Sequence, residues 1–306
     1  MFFFFKRLPK PYDTGFVPVD HGHRLFYQQF GNPKGRVVLS FHGGPGGSGK
    51  PKHASHYDLK KWRVILFDQR ACGKSEYQDA FANNTSLASV QDGMSILNAL
   101  RIKEKITVAG ASFGSALALL FAETYPDRVS QLILSSIFLM RPKDIEWVTH
   151  QSRLFYPDMI DEMRHQAKSD NLTAFYHRLI FSEKYRDIQQ AQKYYGSYEY
   201  QLGRLNPSFD KTPALTDSYI LSGQLYLDYE KNHFFVKPNQ ILDQIKKISH
   251  IPTLIVHNRL DFSCPVEQAY DLSLALPKSK LIIVPELGHG GIQLFKVLDK
   301  EIRNIT

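Results

Sequence analysis

Lys105-Ile106-Thr107-Val108-Ala109-Gly110-Ala111-Ser112-Phe113-Gly114-Ser115-Ala116-Leu117-Ala118-Leu119-Leu120-Phe121-Ala122 is the stretch on which the fold turns. Residues 105–109 form an apolar run of strand length, and residues 115–122 are mostly strong helix formers. Between them, Gly110 to Gly114 spell GxSxG. A serine on a sharp turn from a buried strand into a helix is held in a strained backbone, and flanking glycines let the two elements approach closely. The Ser112 hydroxyl is thereby presented as a nucleophile. The backbone N–H of the next residue, Phe113, falls at the helix start, where unpaired donors can stabilise an oxyanion.

A serine nucleophile needs a base and a carboxylate to orient it, and after a turn of this kind they follow in the chain order Ser, Asp, His. Pro252-Thr253-Leu254-Ile255-Val256-His257 has a buried-strand pattern, and Asp261 stands in the loop just beyond it. A second run, Lys280-Leu281-Ile282-Ile283-Val284-Pro285, is followed by Glu286-Leu287-Gly288-His289-Gly290. Asp261 and His289 are therefore the candidate orienter and base, with Asp271 and His257 as nearby rivals. Earlier in the chain, residues 37–41 form an apolar strand that ends in His42-Gly43-Gly44-Pro45-Gly46-Gly47. Small residues after such a strand let the backbone reach a reacting carbonyl, so Gly44 is the candidate second oxyanion donor. The loop lacks a GK[ST] ending and GxGxxG spacing, which sets a phosphate cradle aside.

The rest of the chain fits an α/β fold, specifically an α/β-hydrolase fold with a mostly parallel sheet flanked by helices. Residues 16–30 suggest an opening hairpin. Runs at 37–41, 63–67, 105–109, 131–135, 253–257 and 281–284 suggest the main sheet, with helical stretches such as 86–101 between them. Ser112 and Asp261 lie 149 positions apart, far more than one crossover helix needs. A helical cap is therefore expected at 141–240, dividing the core into 1–140 and 241–306. Ten of the sixteen tyrosines fall between Tyr156 and Tyr229, suited either to packing the cap on the core or to lining a site for a small apolar ring. Trp147 and Phe138 are candidate pocket residues at the root of the cap.

The motifs HGGPGG, Asp68-Gln69-Arg70-Ala71-Cys72-Gly73-Lys74-Ser75, Asn84-Thr85 and GxSxGS resemble, in order and spacing, the proline iminopeptidase (prolyl aminopeptidase) family. Ile137-Phe138-Leu139-Met140-Arg141 and Tyr229-Glu230-Lys231-Asn232-His233-Phe234-Phe235 extend the resemblance over nearly the whole chain. It implies an α/β-hydrolase with a helical cap that removes an N-terminal proline, or another small or apolar residue, from short peptides without a metal or cofactor. Carried over residue by residue, Ser112, Asp261 and His289 form the triad, and Glu199 and Glu230 hold the substrate amine. The chain departs from the family where Ala111 and Phe113 replace its usual glycine and tryptophan. Tyr195-Gly196-Ser197-Tyr198-Glu199 likewise replaces a tryptophan-rich segment. These changes bear on pocket shape, while the hydrolytic chemistry stands.

Other function classes find less support. The net charge of +8 comes from dispersed lysines and arginines with no long basic block, which argues against nucleic acid or a membrane surface as partner. Phe2 to Phe5 is too short for a signal-peptide core and precedes its basic pair, Lys6-Arg7, rather than following it. Cys72 and Cys264 have no metal-site spacing and read as free thiols of a cytoplasmic enzyme, and His53 and His56 lack HExxH context. No motif specifies an oligomeric state. The alternative activity is an esterase, lactonase or amidase using the same triad on a small non-peptide substrate; an inert hydrolase-fold receptor would leave the triad unexplained.

Overall fold

The computed structural model describes residues 8–202 and 215–305. The Phe2–Phe5 run, and residues 203–214 of the expected cap, lie outside them. Eight strands form one sheet: β1 (Asp13–Pro18), β2 (Arg24–Gly31), β3 (Arg36–Phe41), β4 (Trp62–Phe67), β5 (Ile106–Ser112), β6 (Val129–Ile137), β7 (Thr253–Leu260) and β8 (Ser279–Leu287). Their spatial order is β1-β2-β4-β3-β5-β6-β7-β8. The opening hairpin is antiparallel and joins β4 antiparallel, while β4, β3 and β5 through β8 run parallel. Every run read as a strand falls on one, most of them extended by a few residues, while Lys105 precedes β5.

The helices are α1 (Ser86–Ala99), α2 (Phe113–Thr124), α3 (Pro142–Thr149), α4 (Pro157–Ala167), α5 (Leu172–Ile180), α6 (Tyr185–Ala191), α7 (Ser197–Gln201), α8 (Asp217–Lys231), α9 (Gln240–Gln244), α10 (Glu267–Ala275) and α11 (Ile292–Arg303). The side chain of Thr85 caps α1 by accepting the Ala88 N–H, and its neighbour Asn84 donates to the Ala80 carbonyl and accepts from the Tyr229 hydroxyl. Buried residues of α1, α2 and α10 pack with one face of the sheet, where Leu39, Val108, Leu134 and Ile255 lie. Leu294, Leu298 and Ile302 of α11 cover the other face, against Val38, Ala109, Ile133 and Val256. Alternation along each central strand thus serves two cores, as it must in a sheet covered on both sides.

Among the described residues seven helices, α3 to α9, lie between β6 and β7, and the first six of them, α3 to α8, share a core of their own. Tyr156, Tyr176, Tyr195 and Tyr198 are buried there, whereas Tyr185 and Tyr200 are 61% and 62% exposed. The tyrosines mostly pack the insertion itself. The chain order reverses between β3 and β5, since β4 lies to one side of β3 and everything after β5 to the other. Crevices at the carboxyl ends of parallel strands form at such a reversal, and the candidate site lies there.

Candidate active site

Ser112 is the last residue of β5 and the N-cap of α2, with φ 58° and ψ −133°. That conformation costs a non-glycine residue roughly 1–3 kcal/mol and persists only when its surroundings impose it. The surroundings are backbone. A Cβ on Gly110 would come within 2.0 Å of the Gly114 oxygen, and one on Gly114 within 2.2 Å of the Phe41 oxygen. Side chains there would push β5, α2 and β3 apart. Phe113, the first residue of α2, buries its ring edge-on to Tyr229 and leaves its backbone at the helix N-terminus.

Asp261 follows β7 directly, with its side chain buried. One oxygen accepts the N–H groups of Ser263 and Cys264 at 3.0 and 2.9 Å, and the other lies 2.8 Å from His289 Nδ1. A carboxylate can only accept, so His289 carries its proton on Nδ1 and keeps the Nε2 lone pair. Burial depresses the His289 pKa, but the charge and hydrogen bond of Asp261, with the charge of Glu199 behind them, outweigh it and leave the pKa raised. The His289 loop is held at both flanks. Asn258 Nδ2 donates to the carbonyls of Gly288 and Gly290, each at 2.8 Å, and Glu286 accepts the Gln293 and Leu294 N–H groups of α11.

The rivals make their hydrogen bonds elsewhere, although His257 Nε2 lies 3.6 Å from Asp261. His257 accepts the Ile137 N–H on Nδ1 and donates from Nε2 to the Cys264 carbonyl, tying the end of β6 to the loop after β7. Asp271 pairs with Arg141 at 2.5 Å and with Lys143 at 3.4 Å. Neither rival lines the cavity that Ser112 shares with His289.

That cavity, of about 270 Å³, also takes in Gly44, Glu199 and Glu230. Its apolar wall is made by Phe138, Ile145, Val148 and Phe234. Glu230 is buried on α8 and accepts hydrogen bonds from Thr173 and from Tyr195, whose hydroxyl lies 2.7 and 2.6 Å from its two oxygens. Burial pushes its pKa up to about 7 against the pull of those donors, and the nearby Glu199 pushes the same way. Burial also raises Glu199, an effect that His289 opposes. Asp144 reaches the same cavity but is neutralised by Arg141 through a bidentate pair. Glu199 and Glu230 therefore face one cavity with a serine and a histidine.

Trp147 does not line this space; its indole donates to the Phe262 carbonyl at 2.7 Å. Tyr226 does, unanticipated, although it stands four residues before Glu230 and so on the same helical face. Tyr195 stands likewise four before Glu199, across a π-helical turn at Gln192–Gly196. Cys264 lines the cavity, and both cysteines are buried free thiols. Among the described residues no cluster of three or more histidines, cysteines or acids could hold a metal ion. None of the described helices is long and apolar enough to cross a membrane.

Residues 36–292 match the model of the alpha/beta hydrolase fold family. A probable proline iminopeptidase of Leptolyngbya boryana is 37% identical, over 92% of this chain and 89% of its own. A proline iminopeptidase of Xylella fastidiosa is 35% identical over 92% of each chain, and one of Arabidopsis thaliana 33%, over 92% of this chain and 76% of its own. Among solved structures, the esterase RhEst1 from Rhodococcus sp. superposes with a TM-score of 0.65 at 16% identity, covering 96% of this chain and 99% of that one. At that identity the match speaks for the fold alone.

Proposed function

We propose, from the premise that the chain belongs to the α/β-hydrolase family and within it to the proline iminopeptidases, that it is a serine aminopeptidase releasing N-terminal proline from short peptides. The observation that carries this reading is the single cavity in which Ser112 and His289 face Glu199 and Glu230. An esterase has no use for two carboxylates, one of them fully buried, lining the same cavity as its nucleophile, because burying such charges is costly unless a partner arrives. A peptide's N-terminal ammonium is that partner. The apolar wall of Phe138, Ile145, Val148 and Phe234 suits a pyrrolidine ring or another small apolar residue.

Catalysis then runs through the residues in place. His289 Nε2 takes the proton of Ser112, whose oxygen attacks the first peptide carbonyl. The N–H groups of Gly44 and Phe113 hold the oxyanion, and Asp261 fixes the imidazole tautomer and stabilises its charged form. His289 returns the proton to the departing amine, and a water activated the same way frees the acyl residue from Ser112. Because Glu199 and Glu230 engage the amine of the residue being removed, the cavity accepts one residue beyond the scissile bond. The buried free thiols suit a reducing, cytoplasmic setting.

The test compares proline naphthylamide, N-acetylproline naphthylamide and p-nitrophenyl acetate. The free amine should be cleaved at least a hundredfold faster than its acetylated form. Turnover of the ester alone would overturn the peptidase reading in favour of a small-molecule esterase.

A further inference from the structure

Ser112 and His289 also line a second cavity, of about 200 Å³, against the sheet face that α11 covers. The two spaces meet at this pair and differ in chemistry. The first is lined by Glu199, Glu230 and Asp144, whereas no acid, lysine or arginine lines the second. Its walls include Tyr57, Ile133, Leu294 and Phe295. Of its four imidazoles, His42 and His53 are held neutral, whereas His56 pairs with Asp299 and His289 with Asp261. His42 donates from Nδ1 to the Gly43 carbonyl and accepts the Gln69 N–H on Nε2, which leaves no place for a second proton. Burial, followed by the charge of Lys52, pushes His53 down to about 4. Ala111 is exposed although it sits inside the turn that presents the nucleophile, and it lines this space.

Scission divides the substrate at the carbon attached to Ser112. The acyl residue stays with its amine at Glu199 and Glu230, and the departing nitrogen must lie at His289 to take its proton. The first side chain of the departing peptide therefore begins beside His289, on the side away from the acyl residue. We propose that the second cavity is the subsite for that side chain, and that it selects an uncharged apolar or aromatic residue. The proposal rests on the peptidase reading above. Gly290 and the exposed Phe295 form part of the lining, so the rest of a longer peptide can continue into solvent.

The test is the ratio of kcat/KM for Pro-Phe to that for Pro-Gly, read from released proline in wild type, His53→Trp and Phe295→Ala. A filled or emptied apolar pocket changes such discrimination about 10- to 200-fold per group well placed. The wild-type ratio should be at least about tenfold, collapsing toward one in His53→Trp and falling about threefold in Phe295→Ala. Phe295 is 39% exposed, so its truncation leaves the fold intact even where the bulkier indole does not. A ratio that stays within twofold across all three proteins overturns the subsite. If no proline is released from any substrate but esters turn over, the peptidase reading fails separately. The subsite is then read from benzyl against methyl acetate in the same three proteins, where the same collapse supports it and an unmoved ratio overturns it.

Discussion

The rim of the sheet and the helical insertion build their halves of the site in different ways. At the rim each group is placed by its own strand end: Ser112 closes β5, Asp261 follows β7, and His289 follows β8 by two residues. In the insertion, Glu230 owes its setting to Thr173 and Tyr195, which are 57 and 35 positions away in the chain. On the proposed function, reaction chemistry is thus encoded locally and substrate selection by tertiary packing. Substitutions at the rim should abolish turnover, whereas those in the insertion should change which substrate is turned over.

The sharpest break of that contrast is at Ser112. Ser112→Ala should lower kcat by roughly a million-fold, by analogy with other serine triads. It should also abolish labelling by a fluorophosphonate, with the circular dichroism spectrum unchanged. A loss below tenfold would remove Ser112 from the mechanism and leave the rim without its chemistry.

Next in size, Glu230→Gln should cost the free-amine substrate about 1.5–3 kcal/mol, roughly 10- to 150-fold in kcat/KM, through the lost charge-assisted hydrogen bond. The ester p-nitrophenyl acetate should be nearly indifferent. Only the ionised Glu230 attracts an ammonium, so kcat/KM for the peptide substrate should fall as pH drops through about 7. His289 must be neutral to act as base, and with its pKa raised it adds to the same acid limb. In Glu230→Gln the limb should become shallower, following His289 and Glu199. A profile identical to wild type would show that Glu230 does not meet the substrate.

Asn258 sharpens the contrast from the rim's side. Its amide fastens the carbonyls flanking His289, so Asn258→Ala should lower kcat about tenfold to a hundredfold by loosening the base, with KM nearly unchanged. Nothing in a chain read as VHNRLD announces that role, because the bonded carbonyls lie 30 and 32 positions onward. The strand-end positions of Ser112, Asp261 and His289 were legible for the opposite reason: strand, turn and helix each declare themselves within a few residues, and their order is fixed by the fold. Glu199 and Glu230 were placed only by resemblance to a family, since a glutamate on a helix is ordinarily solvated. Tyr226 left a usable trace in its spacing from Glu230. Trp147 left a misleading one, its aromatic bulk suggesting a pocket wall where the structure gives it the Phe262 carbonyl. The second cavity needed three strand ends and α11 to be brought together before it existed at all.

The smallest effect separates stability from both halves of the site. Glu123, near the end of α2, is buried with neither carboxyl oxygen bonded within the protein, and burial pushes its pKa up to about 8 against the pull of Lys247. An unfolded glutamate ionises near 4.3. Below that pH the group is protonated in both states and costs nothing; above it the unfolded chain releases a proton that the folded protein retains. Stability is therefore lost progressively as pH rises from about 4.3 through about 8, after which the penalty is complete. Glu123→Gln removes the ionisation and keeps the shape, so its Tm should exceed that of wild type by a few degrees at pH 8.5 and by less at pH 5.5. Calorimetry at the two pH values decides it. Equal shifts at both would mean that Glu123 ionises in the fold as freely as in the unfolded chain, and that α2 carries no charge penalty beneath the nucleophile it positions.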